Sequence, residues 1–192
     1  SELVKLLMPL SKDRNVLCKS PLNGIVDVIK YNTARKNADL ALFEFGKSYN
    51  SDGETLLLSG ALTGTLSSTL WQGKQETVDF FTVKGVLQSI FNEIGLNHLE
   101  FEPNKDYPNL HPGQSAYIKD RTGNVGFIGK LHPKYAKEND LKDVYIFELE
   151  LETIFNLRRT FKKVKDVNKF PSIYRDIAVV VDKNITAKEL ID

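Results

Sequence analysis

The sequence predicts an α+β fold, an antiparallel sheet with helices on one side. Three observations predict it. Residues 40–62 and 115–131 each read as two apolar runs around a polar, glycine-containing turn, the pattern of a hairpin. Two amphipathic helices, one ahead of the first hairpin and one between the two, carry their own start signals. No internal repeat or low-complexity segment interrupts this order.

Taken in turn, residues 3–8 and 15–18 read as short strands around a polar loop, 9–14. Ser20-Pro21 opens the first helix, with Ser at the cap and Pro at the first helical position, where its missing N–H does no harm. Leu22, Ile25, Val26 and Ile29 follow at helical spacing, and the helix ends between Tyr31 and Lys36. Val28 falls off that stripe, which gives the helix a second face to bury. Residues 40–49 and 54–62 form the first hairpin around Asn50-Ser51-Asp52-Gly53. Gly60, Gly64 and residues 67–69 then loosen the chain into a loop containing Trp71 and Gln72, with Trp71 read as core or interface. Asp79 caps the second helix, whose stripe is Val83, Val86, Leu87, Ile90, Phe91 and Ile94, and Gly95 stands at its C-terminal cap. Gly85 inside it suggests close packing. A short strand at 97–102 and a polar loop at 103–112 lead to the second hairpin, which turns at residues 120–124. His132-Pro133 starts a short helix, and residues 144–151 alternate as a last strand. Residues 177–181 read as a buried strand, and Thr186 and Glu189 match a capping box.

The 192 residues carry 26 basic and 25 acidic groups, and 41% are hydrophobic, which excludes a disordered chain. No apolar run approaches the roughly 20 residues that cross a bilayer, so no membrane role is expected. The single Cys18 excludes an intramolecular disulfide and favours a reducing, cytoplasmic setting. Charge is uneven: residues 158–175 hold seven basic groups and one acidic. That break sets a boundary near residue 157, with domains expected at 1–157 and 158–192. Ser1 in place of Met, and a capped helix start followed by almost no helix, suggest a piece of a longer chain continuing past Asp192.

Catalytic signals are weak. Neither GxxxxGK[ST] nor GxGxxG occurs, and residues 126–130 imitate a phosphate loop only inside a hairpin, where tight strand packing is the plainer reading. His98, His111 and His132 lie far apart with no Cys pair, so no metal site is expected. His111 and His132 each precede a Pro and read as local backbone acceptors. Cys18 reads as a small buried hydrophobe. Glu148, Glu150 and Glu152 read as three carboxylates on one solvated or partner-facing strand face. The basic segment is different. Arg158, Arg159, Lys162, Lys163, Lys165, Lys169 and Arg175 alternate with Phe161, Phe170 and Tyr174, which fits either an RNA-binding surface or a solvated linker.

Several stretches also carry a resemblance. PLSKDRNVLCKSPLNGIVDVIKYNTARKNADLALFEFGKSY (9–49), WQGKQETVDFFTVKGVLQSIFNEIG (71–95), HPGQSAYI (111–118) and GFIGKLHP (126–133) closely resemble the catalytic-like module of bacterial phenylalanyl-tRNA synthetase β subunits. FPSIYRDIAVVVD (170–182) resembles the first strand of that subunit's ferredoxin-fold anticodon-binding domain. The resemblance implies a class II aminoacyl-tRNA synthetase-like antiparallel sheet flanked by helices, with a truncated ferredoxin-like start after it. It implies an assembly of two α and two β subunits, with ATP, phenylalanine and Mg²⁺ at the α-subunit site and no cofactor here. The first helix and the strand after it match the class II motif that builds subunit interfaces, so Pro21, Leu22, Ile25, Val28, Ile29 and Asn32 are the expected interface residues. Lys162, Lys163, Lys165, Lys169, Tyr174 and Arg175 are the expected tRNA contacts.

Class II adenylyl transfer needs Arg side chains on the phosphates. None occurs between Arg35 and Arg121, which covers the hairpin that would present the first of them. A non-catalytic module for subunit assembly is therefore expected, and the alternative is a catalytically competent class II-like amino-acid ligase. Any RNA affinity of the incomplete C-terminal domain is expected to be weak and steeply salt-dependent.

Overall fold

A computed structural model describes residues 4–8, 15–68, 75–104, 106–157, 170–171, 173–183, 185 and 190. The chain divides into two compact units, Ser1–Phe161 and Lys162–Asp192, a few residues beyond the charge break.

The first unit is built on six antiparallel strands in the order β1-β2-β8-β7-β6-β5. The first hairpin is β1 (Leu40–Asn50) with β2 (Gly53–Thr63), and the second is β6 (Leu110–Asp120) with β7 (Gly123–Leu131). Both turn as local chemistry requires. Asn50 Oδ1 accepts the Asp52 N–H at 2.8 Å, Asp120 Oδ2 accepts the Thr122 N–H at 3.3 Å, and Gly53 and Gly123 follow at φ 137° and 153°. The last strand, β8 (Val144–Glu150), joins the hairpins by pairing with β2 on one side and β7 on the other. β5 (Glu100–Pro103) closes the far edge.

Helices cover both faces of this sheet, not one. α2 (Phe80–Glu93) places Val83, Leu87 and Phe91 over Leu58, Leu62, Phe147 and Leu149. On the other face α1 (Leu22–Thr33) buries Leu22, Ile25, Val26 and Ile29 with Ala61, Phe127, Leu131, Val144 and Ile146. The reason lies in β8. Its residues 144–147 are all buried, so the expected alternation fails, and a bare second face would return apolar side chains to water at about 1.5–3 kcal/mol each.

Other expectations change for related reasons. β8 ends at Glu150, and Leu151 opens the short helix α4 (Leu151–Asn156), so Glu152 leaves the strand and only Glu148 and Glu150 share its face. Glu148 is half-buried under α1 rather than solvated. The loop expected from Gly60 onward is strand to Thr63, followed by a small hairpin of β3 (Thr65–Ser68) and β4 (Gln75–Thr77); Trp71 and Gln72 lie outside the described residues. Gly60 serves close packing, since a Cβ there would stand 2.5 Å from Phe147 Cε1. Residues 4–8 and 15–18 make one bridge, Lys5 with Val16, rather than two strands, and residues 9–14 lie outside the described residues. Cys18 is exposed, with its thiol donating to the Ser20 carbonyl at 3.1 Å, and none of the described residues of this lead-in joins either core cluster.

α2 keeps its expected ends. Asp79 accepts from Thr82 N–H at 2.6 Å in a reciprocal capping box, while Gly95 at φ 78° lets the Leu96 N–H return to the Phe91 carbonyl at 2.8 Å. Gly85, by contrast, has open space where a Cβ would stand. α3 (Pro133–Glu138) starts as expected, with His132 Nδ1 accepting the Lys134 N–H.

In the second unit, residues 173–182 form no strand and stay exposed, although the sequence reads as one. A strand is held by the ladder of its neighbours, and none pairs with it among the described residues. Thr186 and Glu189 lie outside them.

Candidate functional site

Three anchors hold the start of α1. Ser20 Oγ accepts the Leu22 N–H at 3.1 Å, although the helix begins at Leu22 with Pro21, not Ser20, in the N-cap position and no side-chain cap bond. Pro21 lies against Gly46 of β1, where a Cβ would meet the Pro21 Cγ at 2.5 Å. The Tyr49 N–H donates to the Cys18 carbonyl at 2.9 Å. The six expected interface residues then separate. Pro21, Leu22, Ile25 and Ile29 are buried against this chain's own sheet, because they belong to the stripe that seals its second face. They support the helix from behind. Val28 faces outward at 47% exposed, and Asn32 is half-buried one turn on, its Nδ2 donating to the Val28 carbonyl at 2.8 Å. Tyr31 joins them on the outer face at 59% exposed, with the Arg35 guanidinium 3.4 Å above its ring.

A second apolar surface lies along β1, the edge strand beside β2. Phe43 and Phe45 are 69% and 62% exposed and meet edge to face at 5.9 Å. With Leu66, Val86 and Ile90 they border an open groove of about 400 Å³. The sequence reading missed both rings. Their spacing of two on a strand is the signal that puts them on one face.

The strand expected to present the first phosphate-binding Arg is β2, which has no Lys or Arg along its length. Leu58 and Leu62 lie in the core beneath α2. These residues do not fit an ATP triphosphate and its Mg²⁺. The segment resembling a phosphate loop is a packed strand: a Cβ on Gly126 would strike the Glu148 carbonyl, and one on Gly129 would stand 2.8 Å from Ser115 Cβ. His111 Nδ1 accepts the Gly113 N–H at 3.0 Å, the local backbone role expected of it. Tyr174 and Arg175 are exposed in the second unit; Lys162, Lys163, Lys165 and Lys169 lie outside the described residues.

Residues 1–151 match the family model of the phenylalanyl tRNA synthetase β chain CLM domain. The chain belongs to that family. It is 38% identical over 97% of its length to the phenylalanine–tRNA ligase β subunit of Halalkalibacterium halodurans, 39% over 99% to that of Geobacillus kaustophilus, and 41% over 98% to that of Staphylococcus aureus. It spans 24% of each of these relatives. The class II synthetase fold agrees with a likeness to pyrrolysyl-tRNA synthetase from Desulfitobacterium hafniense, with a TM-score of 0.59 at 12% identity over 80% of this chain and 52% of that one. No helix of the described residues is long and apolar enough to cross a membrane. Within the phenylalanine–tRNA ligase β-subunit family, the outer faces of α1 and β1 are this module's candidate functional surface.

Proposed function

We propose that residues 1–157 are a non-catalytic assembly module of phenylalanine–tRNA ligase, a cytoplasmic enzyme that attaches phenylalanine to its tRNA using ATP. The module docks on the α subunit, which holds ATP, phenylalanine and Mg²⁺, within an assembly of two α and two β subunits. Residues 158–192 belong to the tRNA-binding domain, with Lys162, Lys163, Lys165, Lys169, Tyr174 and Arg175 as its contacts. One observation carries this reading: α1 spends a complete apolar stripe on its own sheet and still presents Val28 and Tyr31 outward. β2, which carries no basic residue and whose Leu58 and Leu62 lie beneath α2, supports the absence of chemistry.

The test mixes the chain with the purified α subunit and weighs the species by light scattering. A stable mixed complex is expected, weakened at least tenfold by Val28→Glu with folding intact. Equal loss of fold and assembly in that variant removes α1 from the interface. Pyrophosphate exchange with ATP by the isolated chain overturns the non-catalytic reading.

A further inference from the structure

A carboxylate lies under the start of α1. Glu148 Oε2 on β8 accepts hydrogen bonds from Ser20 Oγ and, at 2.8 Å, from Ser59 Oγ of β2. Ser59 is completely buried. Since Ser20 Oγ also accepts the Leu22 N–H, one hydroxyl links the helix terminus to the carboxylate, and the carboxylate to the centre of the sheet. Neither serine has a second hydrogen bond that could replace this one among the described residues.

We propose that Glu148 is a proton-linked positioning residue for α1, clamping the helix through Ser20 and releasing a proton when the clamp opens to water. The clamp stands on this geometry; its consequence for docking rests on the proposed role of α1.

The direction follows from the surroundings. Burial raises the Glu148 pKa, and the bonds from Ser20 and Ser59 offset only part of that rise. Opening α1 hydrates the carboxylate and returns it to its ordinary range. Between that range and the raised value the closed form binds the extra proton, so opening becomes more favourable as pH rises through this window and levels off above it. Below the ordinary range both forms are protonated and the dependence vanishes. The titratable group facing Glu148 is Tyr107, from the segment before β6, whose phenol is raised by burial and then by the Glu148 charge, with Tyr117 of β6 next to it. The Tyr107 phenol, raised in this way, stays neutral across the window. Glu150 follows on the same face of β8, Lys19 precedes Ser20, and Asp27 and Lys30 pair on the outer side of α1 at 4.0 Å.

Amide hydrogen exchange at Leu22 and Ile25 in the full 192-residue chain, corrected for intrinsic rates, reads the clamp between pH 4 and 8. The opening constant is expected to rise by up to about tenfold per pH unit across the window. Glu148→Gln, which keeps the acceptor without the charge, is expected to remove the slope; Ser20→Ala is expected to raise opening at every pH. A wild-type slope no steeper than that of Glu148→Gln overturns the proposal. Should that variant fail to fold, the carboxyl carbon resonance of Glu148 in the wild type decides, and titration in the ordinary carboxylate range overturns the clamp. Assembly with the α subunit over the same pH range separates the two readings. An exchange slope with pH-independent assembly upholds the clamp and removes α1 from the docking face.

Discussion

Gly60 and Gly85 show how one residue type answers to two different surroundings. Gly60 lies on β2 beneath the buried Phe147 ring, with the Leu42 carbonyl 2.9 Å from where a Cβ would stand. Neither neighbour can yield, so Gly60→Ala is expected to cost about 1–3 kcal/mol as overpacking. Gly85 lies in the middle of α2 with nothing within 4 Å of an added Cβ. There Gly85→Ala is expected to gain up to about 1 kcal/mol, because alanine loses less backbone entropy in a helix. Urea midpoints at unchanged slope measure both; a stabilised Gly60→Ala or a destabilised Gly85→Ala contradicts the packing described. In both cases the residue's identity was plain from the sequence and its reason was not.

At the scale of elements, α1 and α2 are closed by opposite devices. α2 is self-contained: Asp79 and Thr82 cap one end, and Gly95 with Leu96 closes the other, all within a short stretch of chain. The Thr82 hydroxyl and then its backbone N–H hold the Asp79 carboxyl below the usual range. A depressed folded pKa contributes stability above the unfolded pKa that is lost as pH falls through the folded one. Asp79→Ala is therefore expected to cost about 1 kcal/mol at neutral pH and almost nothing in strong acid. A penalty independent of pH would show that the carboxylate does not act through its charge. α1 instead closes through distant partners, Glu148, Gly46 and Tyr49, so its start depends on the rest of the sheet.

At the scale of the whole first unit, β8 decides the architecture. It is the last strand of this unit in sequence but lies third in the sheet, between hairpins that are far apart in the chain. Its alternate residues feed both cores: Phe147 enters the one beneath α2, Ile146 the one beneath α1. A shared central strand couples the two faces into one cooperative transition. Phe147→Ala and Ile146→Ala, at about 3–5 and 2–5 kcal/mol, are expected to lower the same single thermal transition. Calorimetry that resolves two transitions in either variant would show that the faces unfold separately.

What the sequence alone determined is what short-range chemistry controls. The Asp79 cap, the Gly95 stop and the glycine turns of both hairpins are each set by hydrogen bonds within a few residues. The family was legible for a similar reason, since its motifs are contiguous runs of residues. Tertiary structure decided the rest. The second helical layer, the burial of Glu148, the exposure of Cys18 and the outward turn of Phe43 and Phe45 all depend on which strand lies beside which. A strand's faces are defined by its neighbours, and the neighbours of β8 come from residues 53–63 and 123–131, too far along the chain for local pattern to specify.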